Sequence, residues 1–342
     1  MSIEERKAAV LRAVVRDHIR TGEPVGSKTI VSRYGLGVSA ATIRNELAAL
    51  EELGYLAQPH TSAGRIPTDL GYRFYVDSLP ETVALPRTLQ EQIETFFGPP
   101  AADVDEVLHG TASLLSRLTG YAAVAVTPRA TTSRVLRTEL VPVGSSVMLL
   151  IVSDTGRVDK RMLEVGHEPD ERIVERASRM LSERLAGLSY DEAARRVAAL
   201  IREMADEERR LFRDVATAIR HMGDASGEIY LGGVANIADE GAFESPDTLR
   251  EMVGALEEGS AVLEILRAAS GAIDDVTVRI GRENTLRAMA EASVVMAWYG
   301  PRSRPVGAVA VVGPTRMEYP RAISSTRVVA GHLSDLLRGL AG

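Results

Sequence analysis

The chain has 342 residues, and at about 100–200 residues per domain that length implies two or three domains. Hydrophobic residues at 45%, charged residues at 25% and a mean hydropathy near zero argue against a disordered chain and against a membrane protein. With no cysteine there is no disulfide, thiol nucleophile or cysteine-held zinc, and the six histidines show no metal-ligand spacing. Together with acidic Glu4 and Glu5 at the start, this leads us to expect a cytoplasmic protein without metal or cofactor and with no membrane attachment.

The net charge of −7 disfavours a nucleic-acid partner only if it is evenly spread. Residues 1–75 hold ten Lys/Arg against eight Asp/Glu, and the remainder holds 30 against 39. The N-terminal part is therefore the basic one, by a margin small enough that the placement of its cations must decide the matter.

In chain order, Val10, Leu11, Val14, Val15 and Ile19 repeat at helical spacing, which predicts a helix over about 3–20 that stops at Thr21-Gly22-Glu23-Pro24. A second, short helix is expected to open at Ser27 and to reach the Gly35-Leu36-Gly37 turn. Ser39 caps a third. On it Ala40, Ile43, Leu47 and Leu50 fall on one face while Ala41, Arg44, Asn45 and Ala48 fall on the other. Residues 55–67 then predict a short hairpin with a Gly-bearing tip. Helix, short helix, turn, helix, hairpin is the order of a winged helix-turn-helix, expected to close near residue 78.

The proline-rich stretch 79–103 predicts a linker around one amphipathic segment. Beyond it a helix at 104–118, strands at 121–127, 135–143, 146–152, 158–165, 228–234, 276–280, 293–299 and 306–313, and a last helix at 321–339 predict an α+β domain over 104–167 and 228–342. Between these halves, residues 168–222 carry 23 charged residues in 55, which sets the block apart from the 25% of the whole chain. Val197, Ile201, Met204, Leu211 and Val215 continue a heptad-like seam interrupted by Glu208, so 168–227 is expected to be an inserted, helix-rich dimerisation domain.

Two glycine motifs imitate phosphate loops and fail. Gly22-Glu23-Pro24-Val25-Gly26-Ser27-Lys28-Thr29 has one residue too few between its glycines, and Gly35-Leu36-Gly37 follows a helix where a dinucleotide loop follows a strand. No nucleophile motif or metal spacing points to an enzyme. The positive signal is the polar face of the third helix. Arg44 can offer a fork to guanine and Asn45 can pair with adenine, while Ala41 lets the helix approach closely and Ser39 and Thr42 sit at its first turn. Ser27, Lys28 and Thr29 open the second helix, where free N–H groups suit a phosphate, and His60, Ser62 and Arg65 belong to the expected wing.

The run SKTIVSRYGLGVSAATIRNELAALEELGYLAQPHTSAGRIPTDLGYRFYVDSL resembles the N-terminal region of the HrcA family of heat-inducible transcription repressors. Leu231-Gly232-Gly233 with Asn236, and GAVAVVGPTRMEYPRAI near the C-terminus, extend the resemblance over the rest of the chain. It implies an α+β multidomain protein: a winged helix-turn-helix, then a GAF-like domain interrupted by an inserted dimerisation domain. It further implies no enzymatic activity, a homodimer on double-stranded DNA with an inverted-repeat operator, repression of chaperone genes that is lifted by heat stress, and activity maintained by a GroEL-type chaperonin. The alternative is a metabolite-responsive winged-helix regulator, whose GAF-like domain would bind a ligand between apolar strands such as 293–299 and 306–313.

Overall fold

The computed structural model describes residues 5–60, 63–80, 84–98, 104–126, 133–165, 170–204, 206–224, 229–237, 243, 246–259, 261–262, 275–300 and 305–341. Its N-terminal head contains α1 (Glu5–Thr21), α2 (Ser27–Tyr34), α3 (Ala40–Glu52), a hairpin of β1 (Leu56–Ala57) and β2 (Ile66–Pro67), and α4 (Asp69–Asp77). The apolar stripes foreseen for α1 and α3 meet in one core, where Val10, Leu11, Val14, Ile30, Ile43 and Leu50 are fully buried. Ser39 caps α3 by accepting from the Thr42 N–H at 3.2 Å. At α2 the cap is Gly26 with extended backbone, so Ser27 is the first helical residue and not the cap expected of it.

The amphipathic segment expected within the linker is α5 (Arg87–Phe97), and this helix is docked. Ile93 is fully buried, and the Phe97 ring stacks on His332 of α11 (Tyr319–Ala341) with centroids 5.2 Å apart. Prolines bound the helix, but Leu89, Ile93, Phe96 and Phe97 give it an apolar stripe that draws it onto its neighbour.

The strands divide differently from the expectation. A five-stranded antiparallel sheet runs in the order β7 (Ile229–Gly232), β3 (Ala122–Val126), β10 (Gly307–Pro314), β9 (Ala292–Tyr299), β8 (Val276–Ile280). One face packs with α6 (Val104–Thr119) and α11 through Ala123, Ala125, Val295, Val309 and Val311. The opposite face packs Val124, Val294, Met296 and Val312 with Met252 and Leu256 of α10 (Pro246–Glu257), a helix the sequence reading passed over. Covering on both faces explains why β3 and β10 are unbroken apolar runs. Gly232 has its own reason: a Cβ there would lie 2.5 Å from the Ala112 backbone, so the close approach of β7 to α6 requires glycine.

The expected strands at 135–143, 146–152 and 158–165 do not join that sheet. They form β4 (Val135–Val143), β5 (Ser146–Ser153) and β6 (Val158–Glu164), a separate three-stranded sheet. One of its faces is covered by α7 (Glu171–Leu185), α8 (Tyr190–Leu200) and α9 (Asp206–Asp224). The inserted unit is thus sheet plus helices and starts near residue 133 instead of 168. β4, β5 and β6 pair as sequential hairpins, from Val143 with Ser146 and from Val152 with Val158. β3 instead takes its partners β7 and β10 from far along the chain, and those distant partners are not legible in local pattern.

The heptad-like seam is also reassigned. The chain leaves the α-helix after Leu200, makes a short turn over Ile201–Glu203 and an extended residue at Met204, and resumes as α9, so the seam spans two helices of a hairpin. Val197, Met204, Leu211 and Val215 are buried against their own sheet and helices, and Ile201 is half-buried beside them. Glu208, which interrupted the pattern, forms an ion pair with Arg176 of α7. These side chains fill a core within one chain and leave no seam for a second one.

Candidate nucleic-acid interface

The 3.6-residue period of α3 turns Ile43, Leu47 and Leu50 inward and leaves Ala41, Arg44, Asn45 and Ala48 exposed. Among the described residues, the side chains of Lys28, Arg44 and Asn45 have no hydrogen-bond or ion-pair partner. Lys28 is exposed at the start of α2, flanked by half-buried Ser27 and Thr29, and His60 is exposed on the hairpin. Ser62, also expected in the wing, lies outside the described residues.

Arg65 is not a free cation. Its Nε and Nη2 both reach Glu51 Oε2 at 2.8 Å, with its side chain only 19% exposed, and its backbone exchanges hydrogen bonds with Val25 at 2.8 and 2.9 Å. The guanidinium therefore stitches the hairpin to the C-terminal end of α3.

Two further carboxylates hold the same helices and were missed in the sequence. Glu46 on α3, 5% exposed, accepts from Arg6 Nε of α1 at 2.6 Å, with Lys7 Nζ 3.9 Å from its other oxygen. Asp17 on α1, 3% exposed, accepts from Arg20 at 2.9 Å and from Arg33 of α2 at 2.8 Å. Burial alone would raise the Asp17 pKa, but the hydrogen bonds and charges of Arg33 and Arg20 prevail and hold it below the ordinary value. Helical spacing carried the signal: Asp17 follows Val14 by three residues and Glu46 follows Ile43 by three, which puts both acids on the buried stripe.

At the base of the head, His18 Nδ1 lies 2.8 Å from the Tyr72 hydroxyl. Burial, followed by the charge of Arg316, pushes the His18 pKa down to about 4, so the imidazole is neutral at pH 7. Among the described residues no group of three or more acidic or histidine side chains is placed to hold a metal ion, and no helix is long and apolar enough to cross a membrane.

A four-helix head with a hairpin and an exposed, partnerless polar helix face defines the class, a transcriptional regulator, and comparison with known proteins agrees. Residues 105–323 match the family model of the HrcA protein C-terminal domain. The heat-inducible transcription repressor HrcA of Thermobifida fusca is 40% identical over 340 residues, covering 98% of each chain. That of Desulforudis audaxviator is 38% identical over 348 residues, covering 99% of each. A crystal structure of a hypothetical protein at 2.2 Å resolution superposes with a TM-score of 0.70 at 26% identity, over 99% of this chain and all of that one. The chain belongs to the HrcA family of heat-inducible transcription repressors.

Proposed function

We propose that this chain represses chaperone genes by binding an inverted-repeat operator as a homodimer, reading bases with Arg44 and Asn45 of α3. The observation that carries this reading is the α3 face itself, where two base-pairing side chains stand exposed and unpaired between two alanines on a helix whose other side is locked into the core. Lys28, with Ser27 and Thr29 at the start of α2, serves a phosphate. Ser39 and Thr42 stiffen the first turn of α3, and His60 borders the groove from the wing. Arg65 acts by holding that wing through Glu51. The head is then a winged helix. The strand order β7-β3-β10-β9-β8, two-one-five-four-three when the five strands are counted along the chain, supports a GAF-like reading of the second domain.

Since the helical seam is closed within the chain, the second copy is assigned to the open face of the β4–β5–β6 sheet. There Met148 pairs with Met162, Val152 with Val158 and Val141 with Met148, and Val158 and Met162 are 56% and 49% exposed. Between these apolar rows Glu139 and Lys160 flank Leu150, and a sheet face that mixes apolar rows with opposite charges can pair with its own symmetry mate. Heat opens such interfaces, and a GroEL-type chaperonin that captures the exposed apolar surface returns the chain to its active form. A metabolite trigger finds no support in the strands expected to line its pocket. All of β10 is buried, and β9 is buried except for half-buried Trp298, as ordinary core.

Selection from random duplex DNA with the full chain tests the reading. An enriched inverted repeat with half-site centres separated by multiples of about 10–10.5 base pairs is expected. No enrichment overturns it. Operator binding after mild heating, with and without chaperonin and ATP, tests the heat response, and an active fraction indifferent to chaperonin refutes that part.

A further inference from the structure

We propose that α4 clamps the head to the five-stranded domain, and that this clamp, centred on Arg73 and Glu283, sets which half-site spacing the dimer accepts. The spacing claim rests on the operator reading above; the clamp itself rests on the contacts alone.

Arg73 of α4 donates from Nε to Glu283 Oε1 at 2.8 Å and from Nη2 to the other carboxylate oxygen. The same Nη2 donates to the Val278 carbonyl of β8 at 2.7 Å, while Nη1 reaches Asp77 at 3.2 Å. One turn earlier on α4, Asp69 accepts the Arg282 backbone N–H at 3.0 Å. Gly281 lies between these contacts with φ +54°, and a Cβ there would overlap the Asp69 carboxylate, so helix and turn can meet this closely only at glycine. The body side is stiff in its own right. Glu283 also accepts the Ile280 N–H at 2.9 Å, and Arg279 donates to the Glu283 carbonyl at 3.0 Å.

An aromatic contact completes the joint. Tyr72 of α4 packs on Tyr319 with ring centroids 6.1 Å apart, and Tyr319 is tied by its hydroxyl to Ser293 of β9 at 2.7 Å. Both rings are buried, at 3% and 0% exposure. A single contact would leave a swivel. A two-toothed arginine fork, a backbone N–H to carboxylate bond and a packed ring pair together fix direction as well as distance.

None of these residues belongs to the exposed face of α3 or to the opening turn of α2, so the clamp is closed while the surface assigned to DNA stays open. In a dimer, two heads held rigidly reach two half-sites at one separation. Two swivelling heads accept a range of separations, and each of those binds with a weaker gain from linkage.

The chain has no cysteine, so spin labels at Glu52→Cys on the head and Asp335→Cys on α11 report one head-to-body distance within each protomer. The full-length chain should give a narrow distribution, and Arg73→Met and Glu283→Gln should each broaden it. The same proteins are then titrated with duplexes carrying one half-site, or two half-sites at graded separations. Both variants should bind a single half-site within about twofold of the parent, while the parent's preference for its best separation should fall about tenfold. Broadened distances with that preference lost support the proposal. Distances as narrow as the parent's show that Arg73 and Glu283 do not hold the head, and overturn it. Broadened distances with the preference intact overturn the spacing role. If the parent itself prefers no separation, the operator reading has failed and takes the spacing role with it, while the distance measurement still decides whether the clamp exists.

Discussion

Arg44 and Arg65 lie on neighbouring parts of the head and should fail in opposite ways when changed to alanine. Arg44 is exposed and partnerless, so Arg44→Ala removes no folded contact, and at an exposed helical site the exchange itself is worth only about 0.2 kcal/mol. Its melting temperature should match the parent's. On DNA, a bidentate base contact contributes about 1–3 kcal/mol, and a dimer makes the contact twice, so operator affinity should fall by about 2–6 kcal/mol. On scrambled duplex the loss should be far smaller. Arg65→Ala breaks the pair with Glu51, whose side chains are 19% and 34% exposed. Charge-assisted and partly screened, that pair is worth about 1–2 kcal/mol of head stability. Its effect on binding should be similar for operator and scrambled DNA, because a loosened wing carries no sequence information. Fluorescence anisotropy over a salt series, with thermal melts of the same samples, separates the two. If Arg44→Ala keeps parental affinity for the operator, or loses the same factor on scrambled duplex, α3 does not read bases through Arg44.

Three other outcomes follow from the structure. Val158→Lys combined with Met162→Glu on the open sheet face should give folded monomers in sedimentation, and a variant that stays dimeric would place the interface elsewhere. Leu211→Asp should unfold the inserted unit instead of merely separating copies, at a cost of about 3–5 kcal/mol, because Leu211 is 4% exposed inside that core; a parental melting curve would contradict this. His18, with a folded pKa of about 4 against about 6.5 unfolded, takes up its proton first in the unfolded chain, so stability is complete above about pH 6.5 and declines as pH falls towards 4. Allowing for its partial exposure, the decline should amount to about 2 kcal/mol and be absent in His18→Gln, as read from urea midpoints across that range; equal slopes in both proteins would exclude His18 as the cause.

The sequence by itself determined the head. Its elements are fixed by contacts within one or two helical turns: the Ser39 cap, the stripe of Ile43, Leu47 and Leu50, and the Thr21–Pro24 stop each act locally. For the same reason the outward set of Arg44 and Asn45 could be read before any fold was known. The tertiary structure alone decided the rest. β3 pairs with β10 across some 180 intervening residues, while β4, next in sequence, pairs with β5. The unbroken apolar run of β3 and the polar alternation of β4 tell covered faces from open ones, but neither names the partner strand. The heptad-like seam has the right period for a partner helix, yet a break after Leu200 folds α8 and α9 together and fills the seam from within. Arg65, a free cation in the sequence, is claimed by Glu51, and Arg73, one more charge on a short helix, meets Glu283 only because folding brings residues 210 positions apart within hydrogen-bond reach. Periodicity states which side of an element is apolar. Which surface that side meets is settled by packing the whole chain at once, and that is where the separate β4–β5–β6 sheet, the closed helical seam and the Arg73–Glu283 contact were decided.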